Sequence, residues 1–193
     1  MRHPIVVPTD RSNVICSVAG FWDIGHRLFR TTPETYPAKF LAGDAFDDAH
    51  LCLTAPVSPG SQPSVASVNT LSELRGHISV IHASSFFHLF DEEKQFELAK
   101  RVGSLLDTRP GSIIFGSHAG LRYKGQRPGI IKSFSHSPQS WTELWEEQIF
   151  EKGQVKVTTT MVEVDIAAEK LGRVLPIAVG TKPDWLFWSV ERL

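Results

Sequence analysis

Cysteine is scarce in this chain. Cys16 and Cys52 are the only two, and neither has a second thiol close by. That argues against a disulfide framework or a cysteine zinc site and favours a reducing, cytoplasmic setting. Charge of either sign is balanced, with a net −1 over 193 residues, so there is no electrostatic footprint for nucleic acid. No apolar run approaches the length that spans a bilayer. The opening MRHPIVVPTD lacks the apolar core and cleavage site of a secretory signal. There is no GxSxG elbow and no GxxxxGKS/T loop, so hydrolase and P-loop chemistry lack support. The eight histidines show no HxxxH or His–carboxylate spacing suited to a metal. No internal repeat is visible.

What remains is an ordinary globular composition, 41% hydrophobic and 21% charged. One domain covering 1–193 is expected, long enough to bury a core. Its most informative stretch is HISVIHASSFFHLFDEEKQFELAKRVGSLLDTRPGSIIFG, residues 77–116. Ile78, Val80 and Ile81 form an apolar strand that ends in the small residues Ala83, Ser84 and Ser85. Asp91, Glu92 and Glu93 open a helix. Phe96, Leu98, Ala99, Val102, Leu105 and Leu106 follow at helical spacing. Pro110 and Gly111 punctuate, and Ser112 to Phe115 reads as a second buried strand. A crossover of this length between two apolar strands predicts a βαβ unit in a parallel sheet. Ligands in such sheets lie beyond the carboxyl ends of the strands, where Ala83 to Ser85 fall.

Around this unit the spacing predicts short strands at 5–7 and 14–18, a helix at 22–30 and a strand at 38–42 ending in Gly43-Asp44. Residues 54–69 form a Pro/Ser-rich stretch expected to be a flexible surface loop. A brief helical turn follows at 70–74, and 118–135 reads as a Gly- and Arg-containing loop. Ser137 is placed to cap a helix with Pro138 at its first position. Residues 154–166 and 184–190 read as long strands, paired as an antiparallel hairpin with 171–182 between them.

The order IHASSFFHLF, acidic helix opening and PGSIIFG resembles the fourth strand, following helix and fifth strand of class I S-adenosylmethionine (SAM)-dependent methyltransferases. It is most similar to those of fungal secondary metabolism, of the meroterpenoid type. FWDIGHRLF with AKFLAGDAFD resembles that family's second helix and third strand, and SWTELWEE its later substrate-side helix. The likeness covers about residues 21–193. It implies an α/β, partial Rossmann-like fold: a mainly parallel sheet, helices on both faces and an antiparallel C-terminal hairpin. It implies SAM as cofactor and O-methylation of a small polyketide–terpenoid metabolite. Composition adds the expectation of a cytoplasmic protein that meets neither nucleic acid nor membrane, and a homodimer is a possible assembly.

Site residues follow from the same resemblance. Asp44 accepts from the adenine amino group, with Ala45 and Phe46 lining the adenine slot; the competing reading makes Asp44 a turn cap. Ala83 and Ser84 lie against the methionine part of SAM; alternatively, they are small simply to fit under a helix. Trp141 and Trp145, four apart on one helix face, cover the acceptor pocket or pack the core. Arg122, Lys124 and Arg127 hold an acceptor carboxylate or are solvated. His82 and His88 suit general-base chemistry by residue type or are structural. No catalytic residue is assigned.

The family's D/E-x-G-x-G-x-G motif, whose glycines admit the cofactor's amino-acid end, matches nothing here. Gly20 is the only glycine ahead of Phe21. The acid that grips the ribose hydroxyls is missing too. The chain is therefore expected to be either an N-terminally truncated enzyme or a catalytically inactive binding or partner module. Without the family's first strand, the strand at 77–82 would present a bare edge. Ile5 to Val7 is the expected filler, and marginal stability or self-association the expected result.

Overall fold

The structure, a computed structural model, describes residues 5–8, 13–15, 20–32, 34–54, 63–64, 66–126, 133–164 and 184–193. Strands β1 (Ile5–Pro8) and β2 (Asn13–Ile15) precede helix α1 (Gly20–Phe29) and strand β3 (Ala38–Leu41). The central unit is β4 (Val80–His82), α2 (Glu92–Leu105) and β5 (Ile113–Ala119). A small pair, β6 (Gly125–Gln126) and β7 (Phe134–Ser135), leads into α3 (Pro138–Glu143). The long strands β8 (Val155–Glu163) and β9 (Asp184–Arg192) complete the fold. The main sheet has seven strands in the order β3-β1-β2-β4-β5-β9-β8.

The expected βαβ crossover is present, with β4 and β5 parallel and Ile81 opposite Ile114. Asp91 caps α2 by accepting from the Lys94 N–H, and Glu92 and Glu93 sit at the positive end of the helix dipole. The buried stripe of α2 carries Leu98, Ala99, Val102 and Leu105 against Ile81 and Ile114. Each large apolar side chain buried this way contributes about 1.5–3 kcal/mol. Leu41 joins the same core, while its neighbour Phe40 stacks on Trp22 of α1 with ring centroids 5.5 Å apart. Successive strand residues point to opposite faces, so α1 covers one face of the sheet and α2 with α3 the other. Helices on both faces were expected.

The C-terminal hairpin also forms, with β8 and β9 antiparallel from Val155↔Arg192 to Glu163↔Asp184. The expected strand content at 164–166 and the connection at 171–182 lie largely or wholly outside the described residues. So does most of the Pro/Ser-rich stretch, although Val68 at its end is fully buried.

Two details depart from expectation. The sheet is mixed: β2–β4 and β4–β5 are parallel, whereas β1 runs antiparallel to both of its neighbours and β9 to both of its own. The reversal of β1 follows from its short connection to β2, which admits only antiparallel pairing. The strand beside β4 is Asn13–Ile15, in the register Asn13↔Ile81 and Val14↔His82; Ile5–Pro8 lies one place further out. The edge of β4 is therefore covered, by a segment other than the one expected.

The helix after Ser137 changes form. Ser137 caps α3 through a reciprocal bond with Ser140, and Pro138 takes the first turn. The helix then widens into a π-helical segment, Leu144–Ile149, closed by Phe150 N–H donating to the Trp145 carbonyl. Gly103 of α2 faces it, where an added Cβ would lie 3.1 Å from Ile149. Such π segments concentrate at functional sites.

Candidate functional site

The carboxyl ends of β4 and β5 lie side by side. The chain leaves β4 through Ala83-Ser84-Ser85, and Ser85 adopts a positive φ of 53°, a conformation rarely held by residues other than glycine. Hydrogen bonds stitch this turn to β5. Ala83 N–H donates to the Phe115 carbonyl at 2.8 Å, Ser85 N–H to the Ser117 carbonyl at 2.6 Å, and Ser117 N–H to the Ser84 Oγ at 3.1 Å. Ser84 Oγ also meets His82 Nε2 at 2.8 Å. Gly116 makes the close approach possible, since a Cβ there would fall 2.2 Å from the Ala83 carbonyl oxygen.

The loop after β3 supplies the second element. Asp44 Oδ1 accepts from the Phe46 N–H at 3.0 Å, so the turn-capping role is present. Asp44 Oδ2 has no hydrogen-bond partner among the described residues. Ala45 is fully buried. Phe46 is half-buried, edge-on to Phe90 at 5.1 Å, with the Lys94 Nζ 5.6 Å from its ring centre. His50 packs against Gly43, and burial pushes its pKa down despite the nearby Asp47 and Asp44.

Trp141 and Trp145 do share a face, but that face is the core. Both are fully buried, with rings 5.8 Å apart, and Phe87 lies edge-on to both. Lys124 is paired with Glu92 at 2.9 Å and Arg122 lies 3.8 Å from Asp184. Arg127 lies outside the described residues.

The structure adds three residues that sequence reasoning passed over: His118, His136 and Trp188. His118 stands near the carboxyl end of β5, where its position after a buried parallel strand was the available signal. Its ring is 4.6 Å from Trp141, and the ring of His136 is 5.3 Å from Trp141 on another side. Trp188 of β9 lies opposite Gly116, whose missing side chain leaves room for the indole. From there Trp188 Nε1 donates to His118 Nδ1 at 3.1 Å, a diagonal cross-strand contact within aromatic reach. Among the described residues His118 Nε2, His136 Nε2, Trp141 Nε1 and Ser135 Oγ are buried with no hydrogen-bond partner. Leaving such a group unsatisfied costs about 1–3 kcal/mol. Burial, reinforced by the neighbouring His88 and His136, holds His118 well below the usual histidine range. Burial likewise pushes His136 down to about 4. No group of three His, Cys, Asp or Glu side chains among the described residues is placed to hold a metal. No helix among them is long and apolar enough to cross a membrane.

For SAM, the described residues fit one side of the cofactor. The half-buried ring of Phe46 and the unused Asp44 Oδ2 suit a planar base with an amino group. The turn at Ala83-Ser84 brings backbone close to the strand ends. The glycine-rich side has no counterpart in the sequence.

No protein-family profile matches the chain. It is 36% identical over 184 residues to "O-methyltransferase phiE" of Fungal sp. (strain ATCC 74256), covering 93% of this chain and 55% of that protein. It is 28% identical over 131 residues to "Asnovolin E/Chermesin D methyltransferase nvfJ" of Aspergillus novofumigatus, covering 66% of this chain and 40% of that protein. The chain thus spans about half the length of these curated relatives, 55% and 40%. Among solved structures, the mitomycin 7-O-methyltransferase MmcR overlays on 64% of this chain and 32% of its own at 12% identity and a TM-score of 0.36. That overlay is loose, and the fold is read from the strand pairing itself. By sequence, this chain is similar over 93% of its own length to part of a fungal O-methyltransferase.

Proposed function

We propose that this chain carries the adenine-side and acceptor-side walls of a SAM-dependent O-methyltransferase acting on a fungal secondary metabolite of polyketide–terpenoid type. The observation that carries the reading is the 36% identity to phiE over 93% of the chain. In this reading Asp44 and Phe46, with Ala45 behind them, hold adenine. Ala83 and Ser84 present backbone to the methionine part, and Trp141 and Trp145 form the wall behind the acceptor. Bound SAM supplies an electrophilic methyl on a sulfonium. The chain's own residues then have to align an acceptor oxygen with it and exclude water, a task of positioning more than of strong base. A homodimer is part of the proposal, supported by the exposed apolar side chains Leu28 (71%) and Phe29 (74%) on α1. The cytoplasmic setting rests on cysteine usage alone.

The test is calorimetric titration with S-adenosylhomocysteine. Binding is expected, with Asp44→Ala weakening it about tenfold, as for a hydrogen bond to a charged group. Binding that Asp44→Ala leaves unchanged sinks the adenine assignment. The second reading is a non-catalytic module that partners a complete methyltransferase or holds an apolar intermediate. No titration heat with S-adenosylhomocysteine, together with co-sedimentation with a complete relative, selects that reading.

A further inference from the structure

Indole nitrogen is a donor only. Because Trp188 Nε1 donates to His118 Nδ1, that nitrogen must carry the lone pair. A neutral imidazole with its lone pair at Nδ1 holds its proton at Nε2. The second nitrogen of His118 is therefore an N–H, buried with no partner among the described residues, on a residue only 1% exposed. Trp141 Nε1, on a ring 4.6 Å away, is another partnerless donor. Two buried N–H groups without a partner among the described residues thus sit on two rings in edge contact near the carboxyl end of β5.

We propose that His118 is the acceptor-binding residue of this site and that it acts as a hydrogen-bond donor through Nε2–H, with Trp188 as the positioning residue that fixes its tautomer. A histidine held this way orients an oxygen; it offers that oxygen no lone pair with which to take a proton. Trp141 Nε1–H supplies the second donor. The role of this histidine is set by a tryptophan 70 residues further along the chain. The inference deepens the methyltransferase reading, since it rests on that reading for the identity of the ligand as an acceptor.

The experiment uses the full chain labelled with 15N-histidine and two oxygen probes, phenol and sodium benzoate, with toluene as a shape control. The free protein should show His118 as one neutral tautomer protonated at Nε2. Phenol or benzoate should shift that resonance in a saturable way, and toluene should not. His118→Phe should weaken phenol binding about tenfold and His118→Gln, which keeps an N–H, by less than about threefold, the ratio expected for one buried hydrogen bond. Trp188→Phe should yield a mixture of tautomers. An Nδ1–H tautomer in the free protein overturns the proposal. So does a His118 resonance that no probe moves, or one that toluene moves equally, because either outcome makes the cluster closed packing. If His118→Phe does not fold, the wild-type spectra decide. Failure of S-adenosylhomocysteine to bind removes the methyltransferase reading while leaving the tautomer and probe shifts standing; the opposite pattern removes only the His118 role.

Discussion

Arg101, in the middle of α2, reaches Asp48 in the loop after β3 with Nη1 and Oδ1 3.0 Å apart, although the arginine side chain is 7% exposed and the aspartate 72%. The same guanidinium donates to the Leu51 carbonyl and pairs with Glu97 at 2.7 Å. It thereby fixes the loop that carries Asp44 and Phe46 to the central helix.

The two ends of this bridge should behave unequally. Asp48→Asn removes only a screened surface charge and should lower stability by less than about 1 kcal/mol. Arg101→Ala removes a buried stem and leaves the Leu51 carbonyl unpaired, for a loss of about 2–4 kcal/mol. Urea unfolding of both variants checks the order; equal losses contradict it.

Acid should destabilise the fold well before its carboxylates titrate. His136 has a pKa of about 4 in the folded protein against a reference of 6.5. Above 6.5 neither state holds the extra proton. Between the two values only the unfolded chain binds it, so stability falls by about 1.4 kcal/mol per pH unit, and below the folded value no more is lost. His118, depressed by burial, adds to the fall in the same direction. Thermal melts at about pH 7.5 and about pH 5 should differ by roughly 2 kcal/mol from His136 alone. His136→Asn should remove that share, and an identical drop in the variant would show that other groups cause it.

Gly116→Ala should be among the most damaging single changes. Its Cβ would meet backbone, the Ala83 carbonyl oxygen at 2.2 Å, and the Trp188 ring at 3.0 Å. Overpacking against backbone costs about 1–3 kcal/mol or more. Here it should also displace Trp188 and, through it, release the His118 tautomer. A variant that melts like wild type and keeps the Nε2–H signal refutes this coupling.

Asp91→Ala should cost α2 about 1 kcal/mol, through loss of the bond from Lys94 N–H and of the favourable dipole charge. Asp91→Asn keeps the cap and should recover most of it in the same denaturation series.

The elements built from local signals were legible in the sequence. The Asp91 cap, the apolar stripe of α2, the Ser137-Pro138 helix start and the alternation of β8 and β9 each depend on residues within a few positions of one another. Spacing alone therefore sets them. The βαβ crossover followed from the length of the connection. Trp141 and Trp145 were correctly placed on one face. Their spacing could not say whether that face looks onto a pocket or a core, and the partners that settle it, Phe87 and Trp188, come from elsewhere in the chain.

What the sequence by itself determined, then, is the set of elements, their order and the kinship they reveal. Tertiary structure alone decided that β2 rather than β1 lies against β4, because two short β-branched segments are locally equivalent and only sheet pairing ranks them. It also decided the proton position on His118. That depends on a bond from Trp188, and the bond exists because Gly116 leaves space for an indole across the strand. Hydrogen bonding and steric fit act over ångströms in space whatever the separation in sequence, so the chemistry of this histidine is a property of the fold.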